Sequence, residues 1–221
     1  MLAVAHRTPL TAAGCAALAA AGAGAYEVDV QLSARGVVVS HYFPLPVLRR
    51  VEHDNWRLRR ARALGQDALL ADVLALVPPD RDILLDLKET APERRLALRE
   101  RLAEQVPDKR RFVVSSERAD DLAAMRRHGF RTWRTARGRP GLARLLAGPL
   151  DADGVSVRHG LLDGRTVAAL RERTPCVVAW TVNGVGRARQ LLALGATGIT
   201  TDSAAVLSAV AATGPARDGS C

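Results

Sequence analysis

The chain has 221 residues, 48% of them hydrophobic and 25% charged, with 32 basic side chains against 23 acidic ones and a formal net charge of +9. That length suits one domain, and the apolar content excludes a chain that stays disordered. No run reaches the roughly 18 consecutive apolar residues of a membrane span, and no nucleic-acid recognition motif accompanies the positive charge, so no nucleic-acid partner is expected.

Short β-branched runs alternate with longer helical patterns along the whole chain. Strands are expected at residues 2–6, 25–30, 37–41, 82–88, 111–115, 130–134, 154–158, 175–182 and 197–201. Helices are expected near 10–22, 66–77, 91–105, 117–128, 140–147, 163–173, 185–194 and 203–212. Such alternation predicts parallel strands joined by right-handed crossovers. One pair departs from it. Residues 25–33 and 37–41 are joined by a turn at Ala34, Arg35 and Gly36 and read as a β-hairpin.

With the first hairpin arm as a barrel strand and the second as an outgrowth, eight βα units remain, the number that closes a TIM barrel. An open doubly wound sheet is the alternative. No Gly-rich phosphate fingerprint or P-loop follows any strand, which favours the barrel. The expected fold is therefore an α/β TIM (β/α)8 barrel with a hairpin extension after the second strand. It occupies residues 1–212 as a single domain, and residues 213–221 are expected to form a loose tail.

The cysteines, Cys15, Cys176 and Cys221, are odd in number and lack metal-ligand spacing, so neither a disulfide framework nor a zinc site is expected. A reducing, cytoplasmic setting fits that reading. The Ala-rich stretch 12–25 is not read as a signal peptide, because residues 2–5 ahead of Arg7 already form a strand.

A barrel does its chemistry at the carboxyl ends of its strands. Those ends carry His6 and Arg7, then Glu27 and Asp29, then Asp86 and Lys88, and later Trp180 with Asn183. Glu27 and Asp29 are two apart in a strand and share a face, as do Asp86 and Lys88. Three carboxylates converging on one mouth repel unless a cation sits among them, and an all-oxygen set suits Mg²⁺ or Ca²⁺ better than zinc. A hairpin turn near Ala34 and Arg35 places residue 29 across from residue 40 or 41, which returns His41 to the neighbourhood of Asp29. Two histidines, a carboxylate cluster, an Arg and a Lys form a set suited to phosphodiester cleavage, with a base, an acid and fixed positive charge for the phosphate.

The ordered segments AHR (5–7), EVDVQLS (27–33), GVVVSH (36–41), LDLK (85–88), WTVN (180–183) and GITTD (198–202) resemble the glycerophosphodiester phosphodiesterase family across nearly the whole chain. The resemblance implies a TIM barrel that uses a divalent cation to hydrolyse a glycerophosphodiester, a small-molecule substrate, to an alcohol and glycerol 3-phosphate. It implies His6 and His41 as the acid/base pair, Glu27, Asp29 and Asp86 as metal ligands, and Arg7 and Lys88 as phosphate contacts. In the family the first histidine helps the substrate's own hydroxyl attack phosphorus, and water later opens the cyclic product. This chain departs from the pattern at Thr8, where Gly is usual, at Leu10 in place of an acidic or amide residue, at Tyr42 in place of Asp, and at Asp86 in place of Glu. The capping insertion after His41 is expected to be reduced to residues 42–65.

Lys88 is one of only two lysines, the other being Lys109, so a compact ammonium is favoured over a guanidinium at that strand end. Trp180 is expected to wall the mouth against the glycerol or head group, Asn183 to order a loop, and His159 to lie at the surface. Six arginines, Arg49, Arg50, Arg57, Arg59, Arg60 and Arg62, surround Trp56; a solvated helix face is the simpler reading, and attraction of acidic surfaces the alternative.

Overall fold

Eight parallel strands close on themselves because the last, β10 (Gly198–Thr201), pairs with the first, β1 (Leu2–Ala5), through Leu2 to Ala5 against Gly198 to Thr201. The structure, a computed structural model, describes residues 1–9, 11–39, 68–106, 108–214 and 221. The ring runs from β1 to β2 (Ala25–Ser33), β5 (Asp82–Leu87), β6 (Phe112–Ser116), β7 (Arg131–Ala136), β8 (Gly154–Arg158), β9 (Cys176–Trp180) and back through β10. The helices between ring strands are α1 (Ala12–Ala20), α2 (Leu70–Leu74), α3 (Pro92–Gln105), α4 (Ala119–Arg127), α5 (Arg139–Ala147), α6 (Gly164–Arg171) and α7 (Val185–Ala193), and α8 (Ala204–Ala211) follows β10. Side-chain oxygens cap several helix starts, Thr11 toward Gly14, Asp163 toward Thr166 and Ser203 toward Val206.

The hairpin forms with the expected turn. Ser33 pairs with Gly36 and Val30 with Val39 in β3 (Gly36–Val39), and Gly36 adopts φ +116°, a conformation that glycine alone tolerates well. The region 66–77 departs from expectation. Ala68 and Leu69 form a short strand, β4 (Ala68–Leu69), antiparallel to β3, and the helix is confined to Leu70–Leu74. An apolar run this short is equally suited to strand and helix, and an available strand edge decided its first two residues. Residues 40–67 lie outside the described residues and include His41, Tyr42, the expected cap and the arginine group at 49–62.

Strand alternation builds two cores. Outward-facing Ala3, Tyr26, Val28, Ile83, Leu85, Val114, Val155, Val177 and Ile199 pack against the helices with Leu98, Leu102, Leu122, Leu170 and Leu191. Fully burying one such large side chain contributes about 1.5–3 kcal/mol. Inward-facing Val4, Ala25, Leu84, Val113, Trp133, Cys176 and Val178 fill the barrel itself. Trp133 fits only because β8 opposes it with Gly154, where a Cβ would lie 2.7 Å from the indole Cδ1. Among the described residues no helix is long and apolar enough to cross a membrane.

The cysteine expectation is corrected. Cys176 and Cys221 form a disulfide, and Cys15 is buried and free. The partners are 45 residues apart, a spacing that signals nothing in sequence, and they meet because Cys176 opens β9 at the amino-terminal end of the barrel. Cys221, within the segment expected as a tail, packs against the inner core, and residues 215–220 lie outside the described residues. Opening such a loop removes about 2–4 kcal/mol of stability. Cys221→Ser should lower the denaturation midpoint accordingly, and a thiol reductant should then produce no further shift. A reductant that destabilises the variant as much as the parent would show that the bridge contributes nothing.

Candidate active site

Followed once round the ring, the strand registers accumulate the offset of a tilted eight-strand barrel, so the inward residues stack in layers of four taken from alternate strands. Below the mouth lies an apolar layer of Val4, Leu84, Trp133 and Val178. Above it come Glu27, Ser115, Ser156 and Thr200, then His6, Asp86, Thr135 and Trp180, then Asp29, Glu117, Arg158 and Asp202. Polarity thus changes abruptly at one level of the barrel, at the carboxyl end of every strand.

The described site residues of the sequence reading converge there. Glu27, Asp29 and Asp86 each offer one oxygen, all within 4.8 Å of one another, a spacing that fits ligation of a single hard cation. Glu27 and Asp29 are buried and Asp86 half-buried. Lys88 Nζ lies 2.9 Å from Asp29 Oδ1 and also contacts Asp86 Oδ2. Burial acts to lower the Lys88 pKa, but Asp86 and Asp29 outweigh it and the net shift is upward, so the ammonium stays charged. Ser115 Oγ donates to Asp86 Oδ1 at 2.9 Å and fixes that carboxylate from the next strand.

The turn after β1 holds Glu27. Arg7 adopts φ +58°, in the left-handed region that a non-glycine residue enters at a cost of about 1–3 kcal/mol, and such strain concentrates at functional sites. In that conformation its backbone N–H donates to Glu27 Oε2 at 3.0 Å. Thr8 stands where the family has Gly, yet it is accommodated. Its N–H and its hydroxyl both donate to the Glu27 carbonyl, at 3.0 and 2.9 Å. Leu10 and Tyr42 lie outside the described residues, and so does His41, so its approach to Asp29 is not described.

His6 ties the ends of the barrel together. Its Nδ1 lies 2.7 Å from Asp202 Oδ1, and its Nε2 is 3.9 Å from Glu27 Oε2. A carboxylate at Nδ1 favours the tautomer with the proton there, leaving Nε2 to accept a proton in the mouth. Burial acts to raise the Asp202 carboxyl, but hydrogen bonds from His6 and Asn183 prevail and hold it below its usual value. Asn183 Nδ2 donates to Asp202 Oδ2 at 3.0 Å, and its Oδ1 accepts from the Asp202 N–H and the Thr201 hydroxyl. Asn183 therefore clamps Asp202 as well as ordering a loop. The sequence reading quoted Asp202 within GITTD and gave it no role; its partner could be named only by assuming that β10 closes on β1.

Trp180 reaches the mouth beside Arg158, with which it is in register. His159 does not share this inward series. It opens a 3₁₀ turn, His159–Leu161, and burial followed by Arg187 and Arg158 depresses its pKa.

No protein-family model matches the chain, and no curated protein sequence matches it. Solved structures do. A phosphodiesterase of Oleispira antarctica, determined with the product sn-glycerol 3-phosphate, superposes with a TM-score of 0.71 at 19% identity, covering 95% of this chain and 96% of its own. The glycerophosphodiester phosphodiesterase of Thermotoga maritima gives 0.70 at 20% identity, over 93% and 96%. That of Agrobacterium tumefaciens gives 0.64 at 18%, over 97% and 100%. The chain has the fold of these phosphodiesterases. Likeness at this identity shows the fold, a closed eight-stranded parallel barrel ringed by helices.

Asp202 carries a pH signature. A carboxyl lowered in the folded state adds stability above its ordinary value, and that contribution is lost as pH falls through the lowered one. Asp202→Asn should therefore flatten the acid limb of a melting-temperature profile as pH falls below the ordinary carboxylate value of about 4. Equal slopes in parent and variant would contradict the His6–Asp202 pairing.

Proposed function

We propose that the protein hydrolyses a glycerophosphodiester to an alcohol and glycerol 3-phosphate, as the sequence resemblance implies. The observation that carries this reading is the juxtaposition of an oriented histidine with a three-carboxylate cluster, since Glu27 lies within 4 Å of His6 and shares the cluster with Asp29 and Asp86. The fold shared with enzymes of that name supports it.

Glu27, Asp29 and Asp86 would hold a divalent cation, Mg²⁺ or Ca²⁺, which when bound supplies Lewis acidity toward a phosphate oxygen. Lys88 stays charged beside them and offers a fixed donor to a second phosphate oxygen, and Arg7 a third. His6 Nε2 takes the proton of the attacking hydroxyl while Asp202 steadies the imidazolium that forms. His41 gives a proton to the departing alcohol, and the substrate's own hydroxyl is the nucleophile, as in the family. Water then opens the cyclic phosphate to glycerol 3-phosphate.

The substrate is a small molecule and no nucleic acid is involved. Attraction of acidic surfaces rests on arginines at 49–62, outside the described residues. The expectation of a cytoplasmic setting rests on unpaired cysteines, and the Cys176–Cys221 bridge removes that support in favour of an oxidising compartment.

Purified protein should release glycerol 3-phosphate from at least one member of a panel differing in head group. Chelation, His6→Ala and Glu27→Ala should each reduce turnover by about 10²-fold or more. Turnover that survives chelation would refute the metal-assisted mechanism, and none across the panel in Mg²⁺, Ca²⁺ or Mn²⁺ would refute the reaction class.

A further inference from the structure

Among the described residues, the buried polar atoms of the mouth without a hydrogen-bond partner include Thr135 Oγ1, Thr200 Oγ1 and Trp180 Nε1. Thr135 is 6% exposed and Thr200 3%. Buried polar groups are ordinarily paired, so unpaired ones clustered at the open end of a barrel mark where a ligand completes the bonding. All three occupy inward-facing positions in the registers of β7, β9 and β10. Thr135 and Trp180 belong to one layer with His6 and Asp86, Thr135 across the ring from His6 and Trp180 across from Asp86. Thr200 lies one layer deeper.

The two sides of this layer differ in chemistry. The β1, β2 and β5 side carries His6, Glu27, Asp29, Asp86 and Lys88, which suits a phosphate and its counter-charges. The opposite wall at the same height offers a neutral hydroxyl and an indole N–H, with Arg158 of β8 in the layer above. An indole N–H only donates, whereas a threonine hydroxyl also accepts. Together they complement one alcohol group, whose oxygen accepts from Trp180 and whose proton goes to Thr135. A methyl or an ammonium satisfies only part of that set.

We propose that Thr135 and Trp180 form a polyol subsite that hydrogen-bonds a hydroxyl of the glycerol moiety and selects glycerol-bearing ligands over other phosphates. The subsite rests on the glycerophosphodiester reading and adds to it a specificity-determining residue, Thr135, which belongs to none of the segments that carry the resemblance.

The test is calorimetric titration of glycerol 3-phosphate and of inorganic phosphate into the full chain and its variants. The parent should bind glycerol 3-phosphate more tightly than phosphate. Thr135→Val, which keeps the shape and removes the hydroxyl, should weaken glycerol 3-phosphate about tenfold and leave phosphate unchanged. Thr135→Ser should restore the preference. Trp180→Phe should lower the same ratio, and it decides the matter if Thr135→Val fails to fold. A ratio unchanged by these substitutions, or equal losses for both ligands, would overturn the subsite while leaving the phosphodiesterase reading intact. A parent that binds neither ligand would overturn both.

Discussion

Three carboxylates from two neighbouring strands share one end of the barrel, and two of them are buried, so their mutual repulsion has to be compensated from within the site. Lys88 supplies part of the compensation by lying against Asp29 and Asp86. The rest of the mouth is arranged around the same requirement. The left-handed turn at Arg7 aims a backbone N–H at Glu27, and Ser115 donates to Asp86 from the adjoining strand. A divalent ion held by the three carboxylates, as proposed, would complete the neutralisation, and its charge with that of Lys88 would attract a phosphate.

Barrel closure decides which residues can cooperate. His6 and Asp202 lie 196 positions apart and are hydrogen-bonded only because β1 and β10 pair. The same closure lines up Thr135 and Trp180 with His6 and Asp86, so that this one layer has charged groups on one side and neutral hydrogen-bonding groups on the other. Small inner residues elsewhere serve packing. Gly154 yields the space that Trp133 fills, which keeps the floor beneath the polar layers apolar.

Much of this was legible in the sequence, because alternation is a local property. Two-residue spacing put Glu27 with Asp29 and Asp86 with Lys88 on common faces, and the turn at Ala34 and Arg35 gave the hairpin register that pairs Val30 with Val39. Properties that depend on closure were not legible. Asp202 could be assigned to His6 only once the first and last strands were neighbours. Asn183, read as a loop residue, clamps Asp202 through a contact 19 positions away. Thr135 drew no attention because a lone threonine in a strand is commonplace, and only its buried, unpaired hydroxyl distinguishes it. The Cys176–Cys221 bridge failed for the same reason, since it depends on where the chain returns. Asp86, shorter by one methylene than the Glu usual in the family, still lies within the cluster, and the half of the acid/base pair assigned to His41 falls outside the described residues.

The central claim is that Glu27, Asp29 and Asp86 act together on one cation while Lys88 remains beside them. Anomalous diffraction from crystals soaked in Mn²⁺ tests it most directly. The account predicts a single peak within coordination distance of an oxygen from each of the three carboxylates, with Lys88 still facing Asp29 or Asp86. A mouth without a peak, or a peak that Asp86 does not reach, would contradict it.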